Sequence, residues 1–161
     1  MAGHDAAADG FWRFSLLVYG RPGVAEALIG LQDRAGHNVN MMLFALWLGL
    51  CEGVRLDAAG LKRARMAIAR LDGAAVMPLR RLRRALAGDT DPELRGLARR
   101  VLALEIEAER RAQARLAASA APRRRRAAGS HALAEANLRS ALGADADAAE
   151  AAIVLRAIAA P

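Results

Sequence analysis

One cysteine, one tyrosine, one lysine, two tryptophans and three phenylalanines are spread over 161 residues. A single thiol, Cys51, rules out an internal disulfide and a thiolate metal cluster. Valine and isoleucine are few and no segment alternates with period two, so a β-sheet has no basis in the sequence. No apolar stretch reaches the roughly 20 residues that a membrane-spanning helix needs. The N-terminus, MAGHDAAADG, lacks the basic segment and apolar run of a secretory signal. A soluble, cytoplasmic chain is the expectation. The templates of common enzymes are missing as well: no glycine-rich phosphate loop, no G-x-S-x-G, no HExxH, no ExxH pair for a di-iron bundle. Asp89, Asp91 and Glu93 are close together, but capping of a helix start accounts for them. No second acidic motif completes a two-metal site. Cys51 lies in an apolar run with no histidine near it in sequence, which reads as a buried packing residue rather than a nucleophile. No catalytic residue, cofactor or metal is expected.

Alanine, leucine and arginine dominate instead, and that is the composition of helices. The stretch His37–Cys51, HNVNMMLFALWLGLC, has one strongly polar residue from Val39 onward, Asn40, and is otherwise apolar on every side. A helix of that kind must be enclosed by others. Around it the periodicity predicts an all-α, single-domain helical bundle of about six to eight helices, with one long, partly protruding helix. Residues 1–8 are expected to be disordered, 9–120 to form the bundle, 121–130 an Arg-rich linker, and 131–161 a C-terminal helical pair packing on the bundle.

Local signals place the boundaries. Asp9 is expected to cap a first helix from about Gly10 to Tyr19; Pro22 opens a second, and Gly36 ends it. Asn38 caps the central helix and Asp57 a fourth, which Asp72-Gly73 breaks. In the fifth, Leu79, Leu82 and Leu86 share one side and Arg80, Arg81, Arg83 and Arg84 the other. Asp91-Pro92-Glu93 starts the sixth and longest helix. Leu94, Leu97, Val101, Leu104 and Ala108 make a narrow seam on it that suits homo-oligomer formation, and its polar last turns are expected to project.

The formal charge is +7, and the middle of the chain supplies it: residues 55–115 carry fifteen basic side chains against eight acids. The cluster Arg80, Arg81, Arg83 and Arg84, with Lys62, Arg63 and Arg65 and the linker arginines Arg123 to Arg126, suits an acidic protein partner. Nucleic acid and anionic lipid are the alternatives. The segments contain no aromatic side chain to stack on bases, which counts against nucleic acid.

A second constellation is polar. Glu26, Asp33 and His37 fall on one helical stripe, with Asn38 and Asn40 close by in sequence. Capping and inter-helix hydrogen bonding at a tight turn account for them most simply. The sharper alternatives are a small-ligand or enzymatic pocket beside Asn40, or a metal site, which Gly36 weakens by breaking the stripe. Asn40 and Asn137 each lie in an apolar helix, and a bond between them across the bundle would fix its register.

Three segments carry a resemblance: FWRFSLLVY (Phe11 to Tyr19), RPGVAEALIGLQD (Arg21 to Asp33) and NVNMMLFALWLG (Asn38 to Gly49). In this order they are similar to a family of small uncharacterised proteobacterial proteins. MPLRRLRRAL (Met77 to Leu86) and the Glu/Arg-rich long helix look similar too. The resemblance implies a bacterial cytosolic helical protein and assigns no catalytic residue. The leading expectation is a non-catalytic protein that binds an acidic protein partner through its Arg-rich helices.

Overall fold

The computed structural model describes residues 2–120 and 128–159, with side chains from Ala6 onward. Eight α-helical segments follow one another: α1 (Ala2–Tyr19), α2 (Val24–Ala35), α3 (Val39–Leu50), α4 (Ala58–Leu71), α5 (Met77–Ala87), α6 (Pro92–Ser119), α7 (His131–Leu142) and α8 (Ala149–Ala159). A π-helical turn, Asp72–Val76, carries α4 into α5, so the described segments make seven rods in one all-α domain. Among the described residues there is no strand, and no single helix is long and apolar enough to cross a membrane.

α3 is the axis. Every residue from Val39 to Gly49 is buried. Asn38 caps it by accepting from the Met41 N–H at 3.1 Å, which satisfies one of the donors a helix start leaves without a partner. The other helices enclose α3 with single stripes. α1 offers Phe11, Ser15 and Val18, α2 Val24, Ala27, Leu28 and Leu31, and the second half of α6 Ala112, Gln113, Leu116 and Ala117. Trp47 stacks on Phe11 and Phe44 where α1 meets α3, and the two Phe rings are tilted against each other, with centroids 5.2–6.1 Å apart.

α7 crosses α3 at close range. Asn137, fully buried, accepts from the Leu56 N–H at 2.8 Å and donates to the carbonyls of Val54 at 2.8 Å and Ala45 at 3.2 Å. It pins the connector between α3 and α4, and the bond expected between Asn137 and Asn40 is not made. α8 lies on α2, where Glu150 pairs with Arg34 at 2.7 Å.

Several expectations need correction. α1 begins at Ala2, so residues expected to be disordered are helical, and Asp9 sits inside the helix, paired with Arg110 at 3.2 Å. α2 starts after Pro22, at Val24, because Gly23 takes a left-handed conformation (φ 77°). Asp72-Gly73 does not break the chain's helical course; the wide turn accommodates it, with the Met77 N–H reaching back five residues to the Asp72 carbonyl. The end of α6 expected to project is embedded instead, since Ala112 and Leu116 are fully buried. The more exposed half is N-terminal, where α6 pairs with α5, and there the expected seam divides: Leu97 and Leu104 are exposed while Ala108 is buried. Cys51 is exposed at the end of α3, just past the enclosed stretch, and the partial desolvation of its sulfur, together with Glu52, pushes its thiol pKa up. The linker arginines Arg123 to Arg126 lie outside the described residues.

Candidate functional site

Five polar side chains are buried among the described residues: Ser15, Asn40, Glu105, Gln113 and Asn137. Four of them, all but Asn137, line one cleft of about 420 Å³ bounded by α1, α2, α3, α5 and α6. Buried polar groups cost free energy unless they are bonded, so their gathering in one place sets this cleft apart from the rest of the core.

The floor is a chain of three side chains on three helices. Ser15 Oγ (α1) donates to Gln113 Oε1 (α6) at 3.0 Å, and Gln113 Nε2 donates to Asn40 Oδ1 (α3) at 2.9 Å. Asn40 Nδ2 is left over: among the described residues none accepts from it. Asn40 reaches this position because it is in the first turn of α3, on the side that meets α1 and α6 rather than α7.

Charges form one wall. Arg80 on α5 donates through Nε to Glu105 at 3.0 Å and through its other nitrogens to Glu109 and Gln32. Arg83 donates through Nε to the second oxygen of Glu105 at 2.5 Å. Burial works against the charge of Glu105, but the two guanidiniums outweigh it and hold its carboxyl below the ordinary value. Glu109, one turn on, responds the other way: burial dominates, Arg80 only partly offsets it, and its pKa is raised. Tyr19 on α1 is raised as well, first by burial and then by Glu109. The opposing rim is apolar, formed by Leu16, Ile29, Leu102 and Ile106, each more than a third exposed. Trp12 stands at the edge with the Arg110 guanidinium over its ring at 5.8 Å.

The two sets of residues singled out in the sequence are thus partly reunited and partly dispersed. Of the Arg-rich quartet, Arg80, Arg83 and Arg84 line the cleft and Arg81 faces solvent. They are not a free basic face: Arg84 pairs with Asp33 at 3.1 Å, and Arg80 and Arg83 turn inward onto α6 while Leu82 is left about half exposed. Of the polar cluster only Asn40 enters the cleft. Glu26 is exposed on α2, and Asp33 is engaged by Arg84. Gly36, left-handed at φ 72°, turns the chain before His37, so the stripe from Glu26 through Asp33 stops there. His37 pairs with Asp145 at 2.9 Å, and Asn38 donates to Asp72 at 3.0 Å while capping α3. These last contacts border a separate hollow of about 280 Å³ between the start of α3, α4 and α7.

Glu105, Glu109, Gln113 and Ser15 were missed in the sequence. A signal existed: Glu105, Glu109, Ala112, Gln113 and Leu116 share one stripe of α6. A carboxylate on the stripe that carries Ala112 and Leu116 requires a buried cation opposite. Among the described residues no group of three or more His, Cys, Asp or Glu side chains is placed to hold a metal ion.

Neither a curated protein nor a solved structure matches the chain. A family model described as a protein of unknown function, DUF2390, matches residues 10–116. That interval contains α2 to α5, nearly all of α6, and every residue lining the cleft. It also contains the three segments on which the family resemblance rests. The chain belongs to the DUF2390 family.

Proposed function

We propose that the protein is a non-catalytic binding protein of the cytoplasm, and that it holds a small amphipathic molecule in the cleft above Ser15, Gln113 and Asn40. The observation that carries this reading is the concentration of buried polarity in one open cleft of ligand-sized volume. A polar floor under an apolar rim is the arrangement that orients a molecule with one hydrogen-bonding end. Histidine and cysteine are absent from the lining and its one serine is occupied with Gln113, which favours binding over nucleophilic chemistry. An exposed lone thiol at Cys51 suits a reducing compartment. Titration with Nile red, an uncharged apolar dye, tests the reading against the variant Ile106→Trp, which fills the cleft from its exposed rim. One saturable site that disappears in Ile106→Trp is expected. Equal binding by both proteins would remove the cleft from consideration.

A second reading, an acidic protein partner, is favoured by a different observation. Lys62, Arg63, Arg65 and Arg70 on α4, and Arg81 on α5, are exposed and make no ion pair among the described residues. On α4 they surround Met66, which is 70% exposed. The acidic-partner surface expected at Arg80, Arg81, Arg83 and Arg84 therefore moves to α4 and Arg81. A pull-down at low and high salt tests it: recovery at low salt only, undiminished by competitor duplex DNA, is expected, and loss to the competitor would favour nucleic acid. Self-association through Leu97 and Leu104 of α6 belongs to the same proposal, and sedimentation of Leu104→Glu against the unaltered chain decides it.

A further inference from the structure

Resting on the reading of the cleft as a binding site, we infer that its ligand is an amphipathic monoanion: a carboxylate carried on a short hydrocarbon chain. The head meets Asn40, Arg83 and Tyr19, and the chain lies along Leu16, Leu102 and Ile106.

Three observations converge on this chemistry. The first is a surplus of donors. Asn40 is 4% exposed and lines the cleft, yet its Nδ2 has no acceptor among the described residues. Arg83 bonds Glu105 through Nε and Nη2 and leaves Nη1 without an acceptor among the described residues. The Tyr19 hydroxyl, in the same lining, likewise has no hydrogen bond among the described residues. A ligand that brings acceptors satisfies all three; one that brings only donors satisfies Tyr19 alone.

The second is charge. The lining holds three guanidiniums, Arg80, Arg83 and Arg84, against two carboxylates, Glu105 and Glu109. Arg84 is shared with Asp33 at 3.1 Å, so the charges near balance and one negative charge is the most the site takes; a dianionic phosphate would overshoot it in a partly desolvated site. Glu109 widens the allowance. It is faced by Tyr19 from α1, by Arg80 and Arg83 from α5, and by Glu105 within α6, and burial already raises its pKa. An arriving anion raises it further.

The third is the rim. Leu16, Leu102 and Ile106 are exposed apolar side chains beside a polar floor. Covering them is favourable in proportion to the area removed from water.

The test uses the full chain, labelled with nitrogen-15, and three probes of equal chain length kept below micelle-forming concentrations: octanoate, octylammonium and 1-octanol. Octanoate is expected to shift the Asn40 side-chain amide resonances and the Trp12 indole, and to bind about tenfold more tightly than octylammonium. Tyr19→Phe is expected to weaken octanoate severalfold and 1-octanol, whose neutral oxygen is the weaker acceptor, by less. If octylammonium or 1-octanol binds as tightly as octanoate, the anion inference is overturned and the cleft stands as a site. A preference for octylammonium would mean that the Ser15–Gln113–Asn40 chain runs in the opposite sense and presents the Asn40 carbonyl to the ligand. If none of the three moves a cleft resonance, the binding site itself is refuted.

Discussion

Gly49 lies so close to α7 that a Cβ on it would sit 2.4 Å from the Cα and the N of Ala134. The approach is backbone to backbone, so no side chain can swing aside to relieve it. Ala is the better helix former by about 1 kcal/mol, but overpacking at a rigid contact costs about 3 kcal/mol. Gly49→Ala is therefore expected to lower stability by about 2 kcal/mol, read from urea unfolding. A variant as stable as the parent would show that α7 is free to move away from α3.

Asn137 makes the same contact depend on hydrogen bonds. Its side chain serves the Leu56 N–H and the carbonyls of Val54 and Ala45. Asn137→Ala leaves buried backbone groups without partners, at a cost of about 3 kcal/mol. Hydrogen exchange gives a local readout: the Leu56 amide, protected in the parent, is expected to exchange much faster in the variant.

Gln113 tests whether the floor of the cleft acts as a unit. Gln113→Leu leaves Ser15 Oγ and Asn40 Oδ1 facing an apolar side chain and is expected to cost about 2 kcal/mol. Adding Ser15→Ala and Asn40→Leu removes the orphaned groups along with their partner. The triple variant is expected to be more stable than Gln113→Leu alone by about 1 kcal/mol. Simple addition of three losses would contradict a coupled chain.

Glu105 and Glu109 are expected to respond to pH in opposite senses. Glu105 is held below its ordinary 4.5 by Arg83 and Arg80 against the effect of burial. Its stabilisation is present above that value and lost as pH falls through the lower folded one. Glu109 is raised above its ordinary 4.5, chiefly by burial. The folded chain holds that proton more tightly than the unfolded one, so the contribution of Glu109 is full below its ordinary value and lost as pH rises through the higher folded one. Glu105→Gln is expected to destabilise by about 2 kcal/mol at neutral pH, because it removes one partner from a buried pair. Glu109→Gln is expected to gain on the parent as pH rises from about 5 to about 8. Denaturant midpoints across that range decide both, and a Glu109→Gln curve parallel to the parent's would contradict the raised pKa.

What the sequence made legible was local. Asn38 as the cap of α3, Asp57 as the cap of α4 and Asp91-Pro92 as the start of α6 all rest on residues within four positions of one another. The enclosure of α3 followed from its uniform apolarity, and Asn40 stood out for the same reason. The charged wall of the cleft was hidden because its partners are 22 to 29 residues apart. Periodicity separates leucines from arginines on α5, but it does not say which side meets a neighbour that brings its own carboxylates. Arg83 stands between Leu79 and Leu86 on the side that faces α6, and only the position of Glu105 explains why. The polar cluster misled for the opposite reason: Glu26, Asp33 and His37 are near in sequence, and one left-handed glycine was enough to send them apart.

The wide turn at Asp72–Val76 bears on what lengths of chain this fold accepts. A π turn holds one residue more than an α turn, so it behaves as an insertion absorbed in place, with the phase of the helix kept on either side. A chain one residue shorter here would run as a single α-helix and still present Arg80 and Arg83 to Glu105. Pro78 ties the two changes together, because in an unbroken α-helix its ring would press on the carbonyl four residues before it. Deleting a residue from the turn is thus expected to be accepted only alongside replacement of Pro78. The same deletion made four residues later, inside α5, would turn the arginines away from the cleft.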